Sequence, residues 1–333
     1  MDRPDSRPSF GPVPSRRLGR SLGVNNIPSK SCTYSCVYCQ VGRTPRMLVE
    51  RGVFYEPGEI AADVRERLAG ARSADERVDV LAFVPDGEAT LDVNLGREIE
   101  LLKELGMPVA AITNGSLLWR ADVRRELAQA DWVSVKVDAV DETTWRRIDR
   151  PHRHLELGRV LQGIREFAEE FDGELVSETM LVEGVNDSGE CAVAIADFVA
   201  SLRPARAYVS VPTRPPAESW VRGPDEASLN RVFQIFAERV EHVEYLIGYE
   251  GDAFASTGDP ETDLLAITAV HPMRTEALRN FLSRAGSSWG LVDRLVARGD
   301  LVATEYSGHT YFVRGRRAAP GTDGGPHHPL RRS

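Results

Sequence analysis

The sequence predicts an α/β chain whose core is a partial (β/α)6 barrel of the TIM-like kind, followed by a small winged-helix-like domain. Three observations carry this. Short runs of continuous apolar residues alternate with longer amphipathic stretches, the pattern of parallel strands covered by helices on their outer side. Six such units follow one another. Toward the C-terminus the pattern changes to three short helices and a pair of strands. At ~150 residues per domain, a chain of 333 residues has room for both parts.

The elements follow in order. Residues 1–9, rich in Pro, Arg and Ser, read as a disordered lead. An extended run, LGVNNI, then leads to a loop rich in cysteine. An amphipathic helix starts at Pro57 (PGEIAADVRERLAG). Strands are expected at 80–84 (VLAFV), 109–113 (VAAIT), 132–137 (WVSVKV), 175–182 and 207–211 (AYVSV). Helices are expected at 91–105, 121–128, 155–171, 190–202 and 225–240. This places the core at 10–250. Beyond it, 262–269, 274–283 and 288–297 read as helices, and 301–305 and 310–313 as strands. That order is a winged helix-turn-helix, at 259–316, and 317–333 read as a disordered tail.

Composition narrows the class. Hydrophobic residues make up 42% and charged residues 27%, ordinary for a globular chain with a buried core, which excludes disorder throughout. No apolar run approaches the ~18 to 20 residues that span a bilayer. The opening MDRPDSRPSF has no signal-peptide stretch, so a cytoplasmic protein with no membrane contact is expected. A net charge of -9 argues against a broadly basic nucleic-acid binder. The basic residues are 38 Arg and three Lys: Lys30, Lys103 and Lys136. A Lys that persists against that skew suits a place that needs a compact ammonium.

Three of the four cysteines fall within eight residues, Cys32-Thr-Tyr-Ser-Cys36-Val-Tyr-Cys39. The cluster is odd in number, which argues against a disulfide framework, and structural zinc wants four ligands. The remaining cysteine, Cys191, sits in an apparent helix and reads as a small buried hydrophobe. Three thiolates on one loop suit an iron–sulfur cluster with one iron left open. The CxxxCxxC pattern resembles the signature of the radical S-adenosyl-L-methionine (SAM) enzymes. The resemblance implies a 4Fe-4S cluster held by Cys32, Cys36 and Cys39, with SAM on the open iron and Tyr38 near the adenine. It also implies the same barrel core that the local pattern gives.

In a barrel of this kind function sits at the C-terminal ends of the strands. The second strand ends in Pro85-Asp-Gly87-Glu88-Ala89. The resemblance assigns Gly87 and Glu88 to the SAM amino group, although Asp86 and Ala89 depart from the family's glycine and proline. The third strand ends in Thr113-Asn114-Gly115, either a plain turn or, through Asn114, a cofactor contact. Along the fourth, Ser134, Lys136 and Asp138 share one face by strand period and point into the barrel if Val133, Val135 and Val137 pack on helices. They serve SAM or substrate, or else Lys136 and Asp138 form an internal salt bridge. On the fifth, Glu178 and Met180 face the same way. Arg16, Arg17, His152, His154 and Arg214 are candidates for substrate contact; Arg214 lies in a proline-stiffened loop and suits a carboxylate or phosphate.

The stretch 11–21 (GPVPSRRLGRS), the TNG turn, VSVKVDA and TRPPAE resemble one radical SAM subgroup, UPF0026-like, near the wyosine-base synthase of transfer RNA and the nitrogenase-cofactor maturase. Those two relatives use further cysteines. With only Cys191 to spare, this chain has no second cluster, so their reactions do not transfer. The expected activity is reductive cleavage of SAM to a 5′-deoxyadenosyl radical that abstracts hydrogen from an unidentified substrate, whether RNA, peptide or small metabolite. An external one-electron donor of the flavodoxin or ferredoxin type is implied. The C-terminal segment 259–316 carries seven acids and seven arginines, and its third helix is apolar. It therefore suits a peptide or protein partner, or a structural role, better than nucleic acid. Two alternatives belong to other classes: an iron–sulfur sensor that reads through the winged helix, and a non-catalytic zinc-binding adaptor.

Overall fold

Runs such as Val80–Phe83 and Val109–Thr113 have no polar side to offer water, so they can form only inner strands of a sheet covered on both faces. The computed structural model, which describes residues 7–248, 251, 254, 256 and 259–315, places them there. One sheet holds β1 (Ser9–Ser15), β2 (Gly19–Val24), β3 (Val80–Phe83), β4 (Val109–Thr113), β5 (Trp132–Lys136), β6 (Glu174–Met180), β7 (Arg206–Ser210) and β8 (Val243–Leu246), in chain order. β1 is antiparallel to β2; every other pairing is parallel. The helices between the strands are α1 (Pro57–Ser73), α2 (Leu95–Lys103), α3 (Ala121–Leu127), α4 (Glu142–Ile148), α5 (Leu157–Glu170), α6 (Gly189–Ser201) and α7 (Glu226–Ala237).

The α/β class and the parallel order agree with expectation, and the strand count does not. Six strands were expected; the sheet has eight, seven of them parallel. β8 alternates half-buried and exposed residues before Leu246, as an edge strand does, and lacks a continuous apolar run. β1 contains two prolines and a glycine, residues that read as breakers but are tolerated at a sheet edge. Ser9, expected in a disordered lead, begins β1 and is buried, its backbone N–H donating to Asp63 Oδ2 at 3.0 Å. The rest of that lead up to residue 6, and the tail at 317–333, lie outside the described residues. The helix expected at 91–105 starts only at Leu95, after a 3-10 turn at Ala89–Leu91.

The two faces of the sheet differ. Val133 and Val135 share the main core with Val123, Ile164 and Phe167 of the helices, so the alternate residues of β5 turn inward. The inner face carries a few apolar side chains, among them Val80, Ala82, Val176 and Tyr208. β2 and β6 are four places apart in the sheet, yet Arg17, beside β2, pairs with Glu178 on β6. The sheet therefore curls, and its concave face is crossed by polar side chains.

The C-terminal elements are α8 (Pro260–Val270), β9 (Met273–Arg274), α9 (Thr275–Arg284), α10 (Gly290–Ala297), β10 (Leu301–Tyr306) and β11 (His309–Arg314). Their three strands form a separate sheet in the order β10-β11-β9. Leu264, Ile267, Phe281, Leu291 and Leu301 build their core, and Phe10 and Val13 of β1 belong to it as well. Beside this shared core, the buried Arg67 of α1 pairs with the buried Asp263 of α8 at 2.7 Å. Among the described residues no helix is long and apolar enough to cross a membrane.

Candidate functional site

β2 delivers the chain into the cysteine loop, and neighbouring segments hold that loop from several sides. Cys32 O accepts from Leu48 N at 2.9 Å and Ser31 O from Glu88 N at 3.0 Å. Thr33 O accepts from His152 N at 2.9 Å, Val37 N donates to Ile148 O at 2.9 Å, and Val37 O accepts from Glu218 N at 3.0 Å. Cys39 N and Gly42 N close two local turns. Gly87 is required here: a Cβ at that position would lie 2.0 Å from Ser31 O, so only glycine lets the end of β3 meet the loop. The loop is thus fixed by backbone bonds that do not depend on a bound group.

Each cysteine sulfur has its own neighbour. Asn114 Nδ2 donates to Cys32 Sγ at 3.7 Å, the Cys36 thiol donates to Asp149 Oδ1 at 3.4 Å, and Lys30 Nζ donates to Cys39 Sγ at 3.4 Å. All three cysteines are half-buried and free. Burial pushes the Cys32 thiol up to about 12, with the Glu88 charge adding to it, and pushes Cys36 well above its ordinary value, with Asp149 adding. Thiols in this setting keep their protons until a cation displaces them. Among the described residues no three His, Cys, Asp or Glu side chains converge on a single ion. Cys191 lies apart on α6, half-buried rather than buried as expected.

Glu88 is 1% exposed and its carboxylate is heavily engaged. Oε1 accepts from Thr90 N at 3.2 Å, Thr90 Oγ1 at 2.7 Å and Thr113 Oγ1 at 2.6 Å; Oε2 accepts from Asn114 N at 2.8 Å. Burial raises its pKa against these bonds. Glu88 braces the end of β3 against the end of β4, directly behind the cysteine loop. Asn114 uses its side chain on Thr33 Oγ1 at 2.8 Å as well as on Cys32.

On the concave face Ser134 and Lys136 point inward as the strand period predicts. Lys136 does not pair with Asp138, however. Its ammonium lies 3.2 Å from Glu178 Oε1, directly across from it in the β5–β6 register, and 4.7 Å from the centre of the Tyr38 ring. Asp138 instead accepts the Tyr38 hydroxyl, and Met180 N at 2.7 Å. Ser134 Oγ is buried with no partner among the described residues. A small cavity lies between Tyr34, Tyr38, Asn114, Lys136, Asp138 and Asp149. Tyr38, Asn114, Lys136 and Asp138 are thereby brought together beside Cys32 and Cys36.

The expected substrate residues are not gathered in one place. Arg17 crosses the barrel to Glu178, and Arg16 Nη1 donates to Gly248 O at 2.8 Å. Both sit in the β1–β2 turn, at the opposite end of β2 from the cysteines. His152 and His154 lie on the segment beside Thr33, rings edge to face at 4.9 Å, with burial lowering the His152 pKa. Arg214 donates to Gln40 Oε1 at 2.6 Å and lies 2.9 Å from His271 Nε2, joining the cysteine loop to the C-terminal elements. Tyr306 and Tyr311 donate to Pro212 O at 2.9 Å and Thr213 O at 3.0 Å on the same loop.

Four residues were missed as site residues by sequence reasoning. Asp149 touches Cys36, Glu178 joins Arg17 to Lys136, and Lys30 touches Cys39. Glu218 accepts from Arg43 Nε and Nη2, each at 2.7 Å, and from Arg150 Nη1 at 2.5 Å, tying three loops together. Lys30 carried a signal in its rarity among the basic residues, and Glu178 in its place on the fifth strand.

A family profile described as the Radical SAM superfamily matches residues 26–198. A UPF0026 protein of Methanocaldococcus jannaschii is 42% identical over 308 residues, 92% of this chain and 95% of the relative. A UPF0026 protein of Synechocystis is 36% identical over 208 residues, 62% of this chain and 76% of the relative. A radical SAM methyltransferase from Sphaerobacter thermophilus superposes with a TM-score of 0.50 at 18% identity, covering 68% of this chain and 66% of that one. At that identity the likeness is one of fold.

Proposed function

This chain belongs to the radical SAM superfamily, and from that premise we propose that it is a radical SAM enzyme with a 4Fe-4S cluster on Cys32, Cys36 and Cys39. When bound, the cluster supplies reductive cleavage of SAM to a 5′-deoxyadenosyl radical, which takes hydrogen from substrate. The observation that carries the reading is the cysteine loop: three separate sulfurs on a backbone braced by β3, by the segment at 148–152 and by the loop after β7. The rest of the chain would bind, orient and exclude water. Tyr38, Asn114, Lys136 and Asp138 border the cavity beside the cysteines, and with Ser134 they are the proposed SAM residues. The unpartnered Ser134 hydroxyl suits a ligand's acceptor or donor. Gly87 and Glu88 belong to the same site as its rear wall, Glu88 holding Asn114 in place.

His152, His154 and Arg214 remain the proposed substrate contacts at the cysteine end, while Arg16 and Arg17 are proposed as barrel supports. A flavodoxin- or ferredoxin-type donor would supply the electron. We assign 10–250 to the core and 259–316 to a winged-helix-like domain, supported by the order α8-β9-α9-α10-β10-β11. Its role is proposed as contact with a peptide or protein, or as support. The test is anaerobic reconstitution with dithionite and SAM, with iron, sulfide and 5′-deoxyadenosine measured and Cys36→Ala as control. Roughly four irons per chain and cysteine-dependent 5′-deoxyadenosine are expected. Bound zinc with no sulfide would overturn the reading.

A further inference from the structure

Lys30 stands out at the edge of the cysteine loop. Its residue is 7% exposed and its backbone is left-handed, φ 57°, a conformation that side-chain-bearing residues rarely adopt. The turn is held in that shape. Lys30 N lies 3.2 Å from both Asp86 O and Asp86 Oδ1, and Ser29 Oγ donates to Asp86 Oδ2 at 2.6 Å. Asp86 is the residue that replaces the glycine expected from the family resemblance. The ammonium so positioned makes its side-chain hydrogen bond to Cys39 Sγ at 3.4 Å and pairs with no carboxylate among the described residues.

A buried ammonium without a carboxylate needs another anion. A cluster held by three thiolates supplies one, and its negative charge grows by one when an electron enters. A fixed positive charge beside one of its sulfurs favours the reduced form, since hydrogen bonds and net charge at the sulfurs set the potential of such centres. Resting on the functional reading above, we propose that Lys30 tunes the cluster, raising its reduction potential so that an external one-electron donor can reduce it. One electron passes from donor to cluster, and no proton or bond changes. Arginine would carry the same charge on a longer, planar fork; the compact lysine fits the buried turn.

The test is a mediated redox titration of the reconstituted full chain, reading the reduced cluster by electron paramagnetic resonance, with Lys30→Met, Lys30→Gln and Lys30→Arg. At a fixed solution potential, the reduced-to-oxidised ratio per cluster should fall about tenfold in the two neutral variants, ~59 mV for a one-electron couple. Lys30→Arg should stay close to wild type. Because the ratio is taken per cluster, partial loading does not mask it. An unchanged ratio in both neutral variants overturns the inference. So does loss of the cluster in both while Lys30→Arg stays loaded, which would make Lys30 an assembly residue. A wild-type chain that forms no cluster overturns the functional reading itself.

Discussion

The cysteine end of the barrel and the C-terminal elements each have a buried interior, but they are held by different means. Around the cysteines, polar groups satisfy one another, mostly across segments distant in sequence: the buried Glu88 with Thr90, Thr113 and Asn114, Tyr38 with Asp138, and the buried Glu218 with Arg43 and Arg150. The C-terminal core is a set of apolar side chains with the Arg67–Asp263 pair at its margin. Apolar packing tolerates approximate fits, because hydrophobic burial has no direction. Hydrogen bonds and ion pairs do not, because a buried group that loses its partner keeps its full desolvation cost. The first region is built to hold positions, the second to hold together.

Three changes would break or sharpen that contrast. The largest effect is expected where the C-terminal elements meet α1 and β1. Arg67→Ala removes the buried cation that faces Asp263, which keeps the Ser256 hydroxyl at 2.9 Å, and should lower stability by about 3–5 kcal/mol in urea unfolding. Replacing both partners with apolar residues of similar size should recover much of the loss. If the single change costs no more than an exposed pair would, the join rests on packing alone. Next, Gly87→Ala drives a methyl group into Ser31 O, and the neighbour is backbone rather than a yielding side chain. A cost of about 1–3 kcal/mol is expected, together with iron loading well below wild type. Full loading would show that the loop is softer than its bonds imply.

The third change is read against pH and concerns Glu98 of α2. Burial, with the Asp92 charge adding, raises it from 4.5 to about 9. The folded chain therefore keeps a proton that the unfolded chain has released. The stability this contributes is complete below about 4.5 and is lost as pH rises through about 9. Melting temperature should decline across that window in wild type and decline less in Glu98→Gln. Equal slopes would mean that Glu98 is charged in the fold, offset by Asn26, whose amide donates to it at 2.9 Å.

The sequence made the inner strands legible because an unbroken apolar run has few other places to go. It concealed β1, whose prolines and glycine mimic a loop, and β8, whose alternation is that of an edge. It concealed α4 too, a seven-residue helix with only Thr144, Trp145 and Ile148 buried, too short to show a period. At the site, the cysteines announce themselves by local spacing. Their partners do not: Tyr38 finds Asp138 a hundred positions away, and Arg43 finds Glu218 at 175. Charged residues choose partners through the fold, so Lys136 could be read as inward-facing but not as Glu178's neighbour.

β1 leaves the ribosome well before the C-terminal elements that cover it. Phe10 and Val13 wait for Leu264, Phe281 and Leu291, and Arg67 waits for Asp263 at a separation of 196 residues. Until then an edge strand and a buried-type arginine stand open to water and to other chains. A fragment ended near residue 250 would keep them so permanently. The C-terminal elements are thus a seal on a strand made long before them, and removing them should be felt at β1 and α1.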